Sequence, residues 1–127
     1  MREILFRGKT EGDWCYGSLV NSPSEDQFYI AEHLGDELQY PVDEETIGQY
    51  TGHKDKNGIR IFEGDIVKIE NKYIRYIVYS GVRSGFITMM YYDKLESAMM
   101  VELGKYEHYE IEVIGNMYDN PELLEKE

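Results

Sequence analysis

At 127 residues the chain is the size of one domain, and 42% hydrophobic with 13% aromatic residues excludes a disordered polymer despite a net charge of −12. A single cysteine, Cys15, excludes an internal disulfide and fits a reducing compartment, while the acidic balance makes direct nucleic-acid binding an unexpected role. No run reaches the roughly 18–20 apolar residues of a membrane helix, and the charged opening Met1-Arg2-Glu3-Ile4 does not read as a signal peptide, so the expected setting is soluble and cytoplasmic.

Period-two alternation outweighs helical periodicity along the chain. Residues 3–7 alternate Ile4 and Phe6 with charged neighbours, a half-buried strand. Residues 14–20 form a second strand candidate, joined to the first by a turn at Gly12-Asp13. Asn21 to Ser24 is loop chemistry, and Phe28-Tyr29-Ile30 is a short aromatic strand. Between 32 and 45, Pro41 and the Asp43-Glu44-Glu45 cluster predict a loop with at most one helical turn. Next, Asn57-Gly58 lies between strand-like runs, the pattern of a type I′ hairpin with positive φ at both central residues. After Glu63-Gly64-Asp65, residues 66–69 resume a strand.

Residues 73–79 are apolar or aromatic on both faces, which predicts a central strand of its sheet. A turn at 81–85 leads to a return strand over 86–92, and 93–100 reads as a short helix or loop. Residues 106–114 alternate again, with Tyr109, Ile111 and Val113 expected inward. Asn120-Pro121-Glu122 has an N-cap residue, Pro at the first helical position and an acid in the first turn, predicting one or two turns of C-terminal helix. The fold class is therefore mainly β, with antiparallel strands in a small barrel or sandwich and a short C-terminal helix. Residues 1–127 read as a single domain, with a split into two small β lobes near 43–45 as the alternative.

The charge is unevenly placed. Residues 1–9 are net positive, and no Lys or Arg occurs between Thr10 and His53, where ten acids fall in the segment 11–45. Residues 54–83 invert the sign, with Lys54, Lys56, Arg60, Lys68, Lys72, Arg75 and Arg83 against four acids, and the remainder is acidic again. A solvated acidic surface is the simplest reading; an acidic face that docks on a basic partner is the sharper one.

No catalytic, cofactor-binding or metal-ligating residue is assigned, and no cofactor or small molecule is identified. His33, His53 and His108 stand far apart and outside any zinc-binding spacing. Cys15 beside Trp14 reads as a core residue of its strand rather than a nucleophile. Asp43-Glu44-Glu45, and Glu63 with Asp65, lack the spacing of a calcium loop. Gly48, Gly52, Gly58 and Gly64 have neither the spacing nor the following helix of a phosphate-binding loop and read as turn positions. Asn57 and Gly58 are expected to set a turn, and Asp65 to bond backbone amides near Gly64. The 12 tyrosines read mostly as cross-strand packing partners, with some left over for a sticky surface.

Three blocks resemble the YopX-like family of phage and prophage proteins. They are Met1 to Arg7, then Gly48-Gln49-Tyr50-Thr51-Gly52 with Lys54-Asp55-Lys56-Asn57-Gly58 and Ile61-Phe62-Glu63-Gly64-Asp65-Ile66-Val67, and finally Glu112-Val113-Ile114-Gly115-Asn116-Met117-Tyr118 with Asn120-Pro121-Glu122-Leu123-Leu124. His53 stands where the family pattern has an apolar residue, and the early segment departs from it after Arg7. The resemblance implies a β-rich fold and a bacterial host cytoplasm, and carries no activity or catalytic residue.

The expected function is a non-enzymatic phage accessory protein acting through protein contacts, as a homo-oligomer or on another protein, with the divided charge and the tyrosines as its motive. One alternative is a nucleic-acid mimic whose acidic segment 11–45 occupies the basic cleft of a host nuclease or DNA-binding protein. Another is a small enzyme or ligand-binding β-barrel, which would need a deep pocket lined by convergent polar groups.

Overall fold

The computed structural model describes residues 2–32, 38–89 and 101–126; the candidate helix or loop at 93–100, Tyr91, Tyr92 and His33 lie outside the described residues. The chain is mainly β and divides into two compact units, Met1–Gly52 and His53–Glu127. The division falls later than the acidic cluster at 43–45.

In the first unit the strands are β1 (Phe6–Thr10), β2 (Asp13–Ser22), β3 (Gln27–Ala31), β4 (Gln39–Val42) and β5 (Gly48–Lys54), whose last residues enter the second unit. All pairings are antiparallel, in the order β4-β3-β2-β1-β5. The β1–β2 hairpin turns on Glu11 and Gly12, both at positive φ (51° and 88°), one residue earlier than the sequence predicts. Pro41 lies in edge strand β4 rather than in a loop, a position where its missing N–H breaks no ladder. A single 3₁₀ turn, Glu44–Thr46, follows.

β2 is long enough to serve two partners. Its first half pairs with β1 and its second half, from Ser18 onward, with β3. The handover comes at Gly17, where a Cβ would stand 2.1 Å from the Ala31 carbonyl oxygen, so only glycine admits that approach. The β3–β4 end thereby returns over β1, with Val42 against Gly8. Cys15, Ile30 and Val42 form the buried core of the unit, packed by Phe6, Leu19, Phe28, Tyr40 and Ile47.

The second unit holds β6 (Arg60–Phe62), β7 (Asp65–Ile69), β8 (Tyr73–Ser80), β9 (Gly85–Met89), β10 (Val101–Glu102) and β11 (Ile111–Asn116). Five of these make an antiparallel sheet in the order β10-β9-β8-β7-β11. β8 is its central strand, as two apolar faces require. Ile61, Val67, Ile69, Ile77, Leu103 and Ile111 form the core on one face. On the other face Ile66 and Ile87 are also buried. The C-terminal helix is present as a 3₁₀ segment, Pro121–Lys126, with Leu124 buried.

Two local expectations are corrected. Asn57-Gly58 is not a type I′ turn: only Gly58 has positive φ (79°). The Gly58 N–H donates to the Asp55 carbonyl and the Asp55 N–H to the Ile59 carbonyl, a type I turn closed by a left-handed glycine. The Asp55 side chain favours this form by accepting from the Asn57 and Ile59 amides inside the loop. Type I′ dihedrals occur instead at Glu70-Asn71 (54° and 57°), closed by the Lys72 N–H to the Ile69 carbonyl. Tyr109 is the second correction. It sits in a 3₁₀ turn, His108–Glu110, ahead of β11, so the strand alternation does not reach it and the ring is 66% exposed. Ile111 is buried as expected. Neither sheet closes into a barrel.

Candidate functional site

The second and third blocks of the family pattern meet in space, and their polar side chains hold backbone. β7 and β11 pair from Ile69↔Ile111 to Asp65↔Asn116, with a bulge between Val113 and Gly115. Buried Asp55 accepts from Asn57 (2.8 Å) and Ile59 (2.9 Å) through Oδ1, and from Val113 (2.9 Å) through Oδ2. Buried Asp65 accepts the Phe62 N–H at 2.7 Å, across the Glu63-Gly64 turn. Gly64 donates to Ile77 and accepts from Met117. Asn116 Oδ1 accepts from Tyr118 and Asp119, while Asn120 Oδ1 accepts from Asn116. Carboxylate and amide oxygens saturated by main-chain donors in this way determine local conformation. That is the role read from the sequence for Asp65, extended to Asp55 and to the C-terminal block.

The other residues singled out in the sequence are dispersed. Cys15 is buried, and its thiol donates to the Gly8 carbonyl at 3.4 Å. Burial pushes its pKa up, with the charge of Glu32 as a lesser cause, the opposite of the shift that activates a thiol. His108 stacks edge-on against Tyr109 at 5.9 Å between ring centres. Among the described residues no three His, Cys, Asp or Glu side chains are grouped to hold a metal ion.

The described acids of segment 11–45 are distributed over several elements, with Glu32 at the end of β3 beside Gly17 and Asp43 to Glu45 after β4. Glu11 and Asp13 mark one end of β2, whereas Glu25 and Asp26 occupy the turn at its other end. Ten residues at about 3.3 Å per residue put those ends roughly 30 Å apart along the strand. Part of the basic stretch 54–83 is also met within its own unit. Lys56 pairs with Glu112 at 3.6 Å and Arg83 with Glu102 at 3.4 Å, both partly exposed. Lys68 stands directly across from Glu112 in the β7–β11 ladder.

One surface cluster went unread in the sequence. On the β1–β2 hairpin, Lys9 is opposite Trp14 and Arg7 is opposite Tyr16, so all four side chains share one face. The Arg7 guanidinium lies 4.5 Å from the Trp14 ring centre and the Lys9 ammonium 5.3 Å from it. Arg7 is itself buried, whereas Tyr16 is 43% exposed. The arrangement packs a cation against a ring quadrupole and leaves an amphipathic phenol beside it. The signal was present: a two-residue turn at Glu11-Gly12 dictates these pairs, but a turn placed one residue later does not.

A smaller group lies in the second unit. Lys72 and Arg75 each lie 5.1 Å from the Tyr73 ring centre, and Tyr79 packs edge-on against Phe86, its direct cross-strand partner, at 5.4 Å. The Tyr79–Phe86 contact is the packing use expected for the tyrosines.

The chain matches the family model described as YopX protein over residues 5–125. None of the curated proteins matches it. Among solved structures it is similar to the crystal structure of protein EF1440 from Enterococcus faecalis, with 24% identity and a TM-score of 0.54 over 98% of this chain and 99% of that one. At that identity the likeness concerns the fold alone.

Proposed function

The chain belongs to the YopX family, and from that premise we propose that it is a non-enzymatic phage or prophage accessory protein, resident in the bacterial cytoplasm, that acts by contact with another protein or with its own copies. The observation that carries this reading is the β1–β2 face bearing Arg7, Trp14 and Tyr16. Arginine, tryptophan and tyrosine are the residue types that dominate the energetics of protein interfaces, because they supply large, stiff contact area with a polar tip. Tyr16 presents its ring to solvent, and the stacked Arg7 holds the Trp14 ring in place beside it.

The nucleic-acid mimic is less well supported, since an imitation of a phosphate row needs its carboxylates in register along one surface. Here the described acids of segment 11–45 are divided among the two ends of β2, the end of β3 at Glu32 and the turn after β4 at Asp43 to Glu45. A ligand-binding barrel is likewise disfavoured by two open sheets.

Affinity capture from a bacterial host, read by mass spectrometry, tests the reading when the parent is compared with Trp14→Ala and Tyr16→Ala. Light scattering at low and high salt tests self-association in the same three proteins. The expected result is a partner, or an added mass, present in the parent and lost in variants that keep the parent circular dichroism spectrum. Folded variants that retain every contact of the parent would overturn it.

A further inference from the structure

On β8, Tyr73 and Arg75 share a face with the core residue Ile77 and stand opposite Ile69 and Val67 of β7. A guanidinium in that apolar row is out of place, and Arg75 is only 7% exposed. Its charged end lies 5.1 Å from the Tyr73 ring centre, and Nη1 donates to the Ile74 carbonyl at 2.8 Å. Among the described residues that is the single hydrogen bond of a group with five donors. Nε and Nη2, an edge that grips an oxyanion through two parallel bonds, find no protein partner there and keep contact with solvent. Burying such a charge is costly unless it is paired. Lys56 and Arg83, from the same basic stretch, are paired with Glu112 and Glu102. Arg75 is not. Exposed Lys72 lies 5.1 Å from the same ring centre, so the two charges are within twice that distance of each other. Among the described residues no carboxylate comes within ion-pair distance of either.

We propose that Arg75, Lys72 and Tyr73 form a binding site for a phosphate monoester. Two cations without a carboxylate between them call for a dianion. A monoester carries about −1.5 to −2 at neutral pH, whereas a carboxylate carries a single charge. The Arg75 fork takes two of the phosphate oxygens, its direction fixed by the Tyr73 ring and the bond to Ile74. Lys72 reaches a third oxygen as a point charge on a flexible stem. The Tyr73 ring, 39% exposed, offers an apolar surface to the organic part of the ester. Such a site needs a fork at the surface and no deep cavity. It lies in the second unit and does not depend on the β1–β2 face.

Thermal denaturation at constant ionic strength tests the site, with inorganic phosphate, O-phosphoserine, a nucleoside 5′-monophosphate and acetate as probes. The parent protein should melt higher in each phosphate than in acetate at the same concentration. A larger rise with O-phosphoserine assigns the site to a phosphorylated side chain, and a larger rise with the nucleotide assigns it to a nucleotide. Arg75→Lys keeps the charge and loses the fork. The phosphate concentration needed for a given rise should then increase about tenfold, the worth of a charge-assisted hydrogen bond. Lys72→Ala, at an exposed position, should also raise that concentration, and it decides the matter if Arg75→Lys does not fold. Equal melting temperatures in phosphate and acetate overturn the proposal. So does a phosphate response that folded Arg75→Lys and Lys72→Ala proteins both retain in full.

Discussion

The Tyr118 ring rests on Gly64, leaving only 3.0 Å to the point where a Cβ at position 64 would sit. Gly64 also has φ of +92°, and its own N–H and carbonyl are engaged by Ile77 and Met117. Two stretches far apart in sequence, Glu63-Gly64-Asp65 and Asn116-Met117-Tyr118, are thereby locked together.

Gly64→Ala should destabilise the protein on both counts. A left-handed backbone at a non-glycine residue costs about 1–3 kcal/mol, and the ring must also move. Chemical denaturation should show a lowered midpoint, and Tyr118→Ala combined with Gly64→Ala should recover only the ring's share of the loss.

Asp65→Ala removes the acceptor of the Phe62 N–H from a buried site. Leaving such an amide unsatisfied costs about 1–3 kcal/mol, so the melting temperature should fall. Unchanged stability with lost partner binding would instead make Asp65 a recognition residue.

Gly17→Ala is expected to be more severe than ordinary overpacking, for which about 1–3 kcal/mol is typical. The obstacle is backbone, the Ala31 carbonyl, and not a side chain that can rotate away. Circular dichroism should report loss of the folded state or a broad transition, whereas Gly81→Ala, with nothing within 4 Å, should leave the melting curve unchanged.

Cys15 should react slowly with thiol reagents in the folded protein and rapidly in denaturant. Its pKa is raised above the ordinary 9.0 by burial, so the thiolate is scarce at neutral pH. The sign follows from linkage: a raised folded-state pKa contributes stability that is fully present below the unfolded pKa and disappears as pH rises through the folded value. Denaturation measured from neutral to strongly alkaline pH should therefore show a decline that Cys15→Ser lacks on its alkaline limb.

The β class and most strands were legible because alternation of apolar and polar residues reports directly on a sheet with one covered face. The centrality of β8 was legible for the same reason, since a strand apolar on both faces must be covered on both. Turn type at Asn57-Gly58 was not. The dipeptide favours one geometry, and the Asp55 carboxylate two residues earlier selected another by bonding the loop amides. The direct pairing of Lys9 with Trp14 and of Arg7 with Tyr16 was missed through a one-residue turn placement, because moving a two-residue turn by one residue shifts every cross-strand partner by two.

By itself, the sequence determined an acidic, mainly β chain of YopX-like pattern with its charge in alternating blocks. Those are properties of composition and local period, which need no knowledge of neighbours. Only the tertiary structure decided what the uneven charge amounts to. The described acids of segment 11–45 are divided among the ends of β2, the end of β3 and the turn after β4, and Lys56 and Arg83 meet Glu112 and Glu102 within one unit. Sequence order records how charges follow one another along the chain, whereas electrostatics depends on their distance in space, and strand pairing sets that distance.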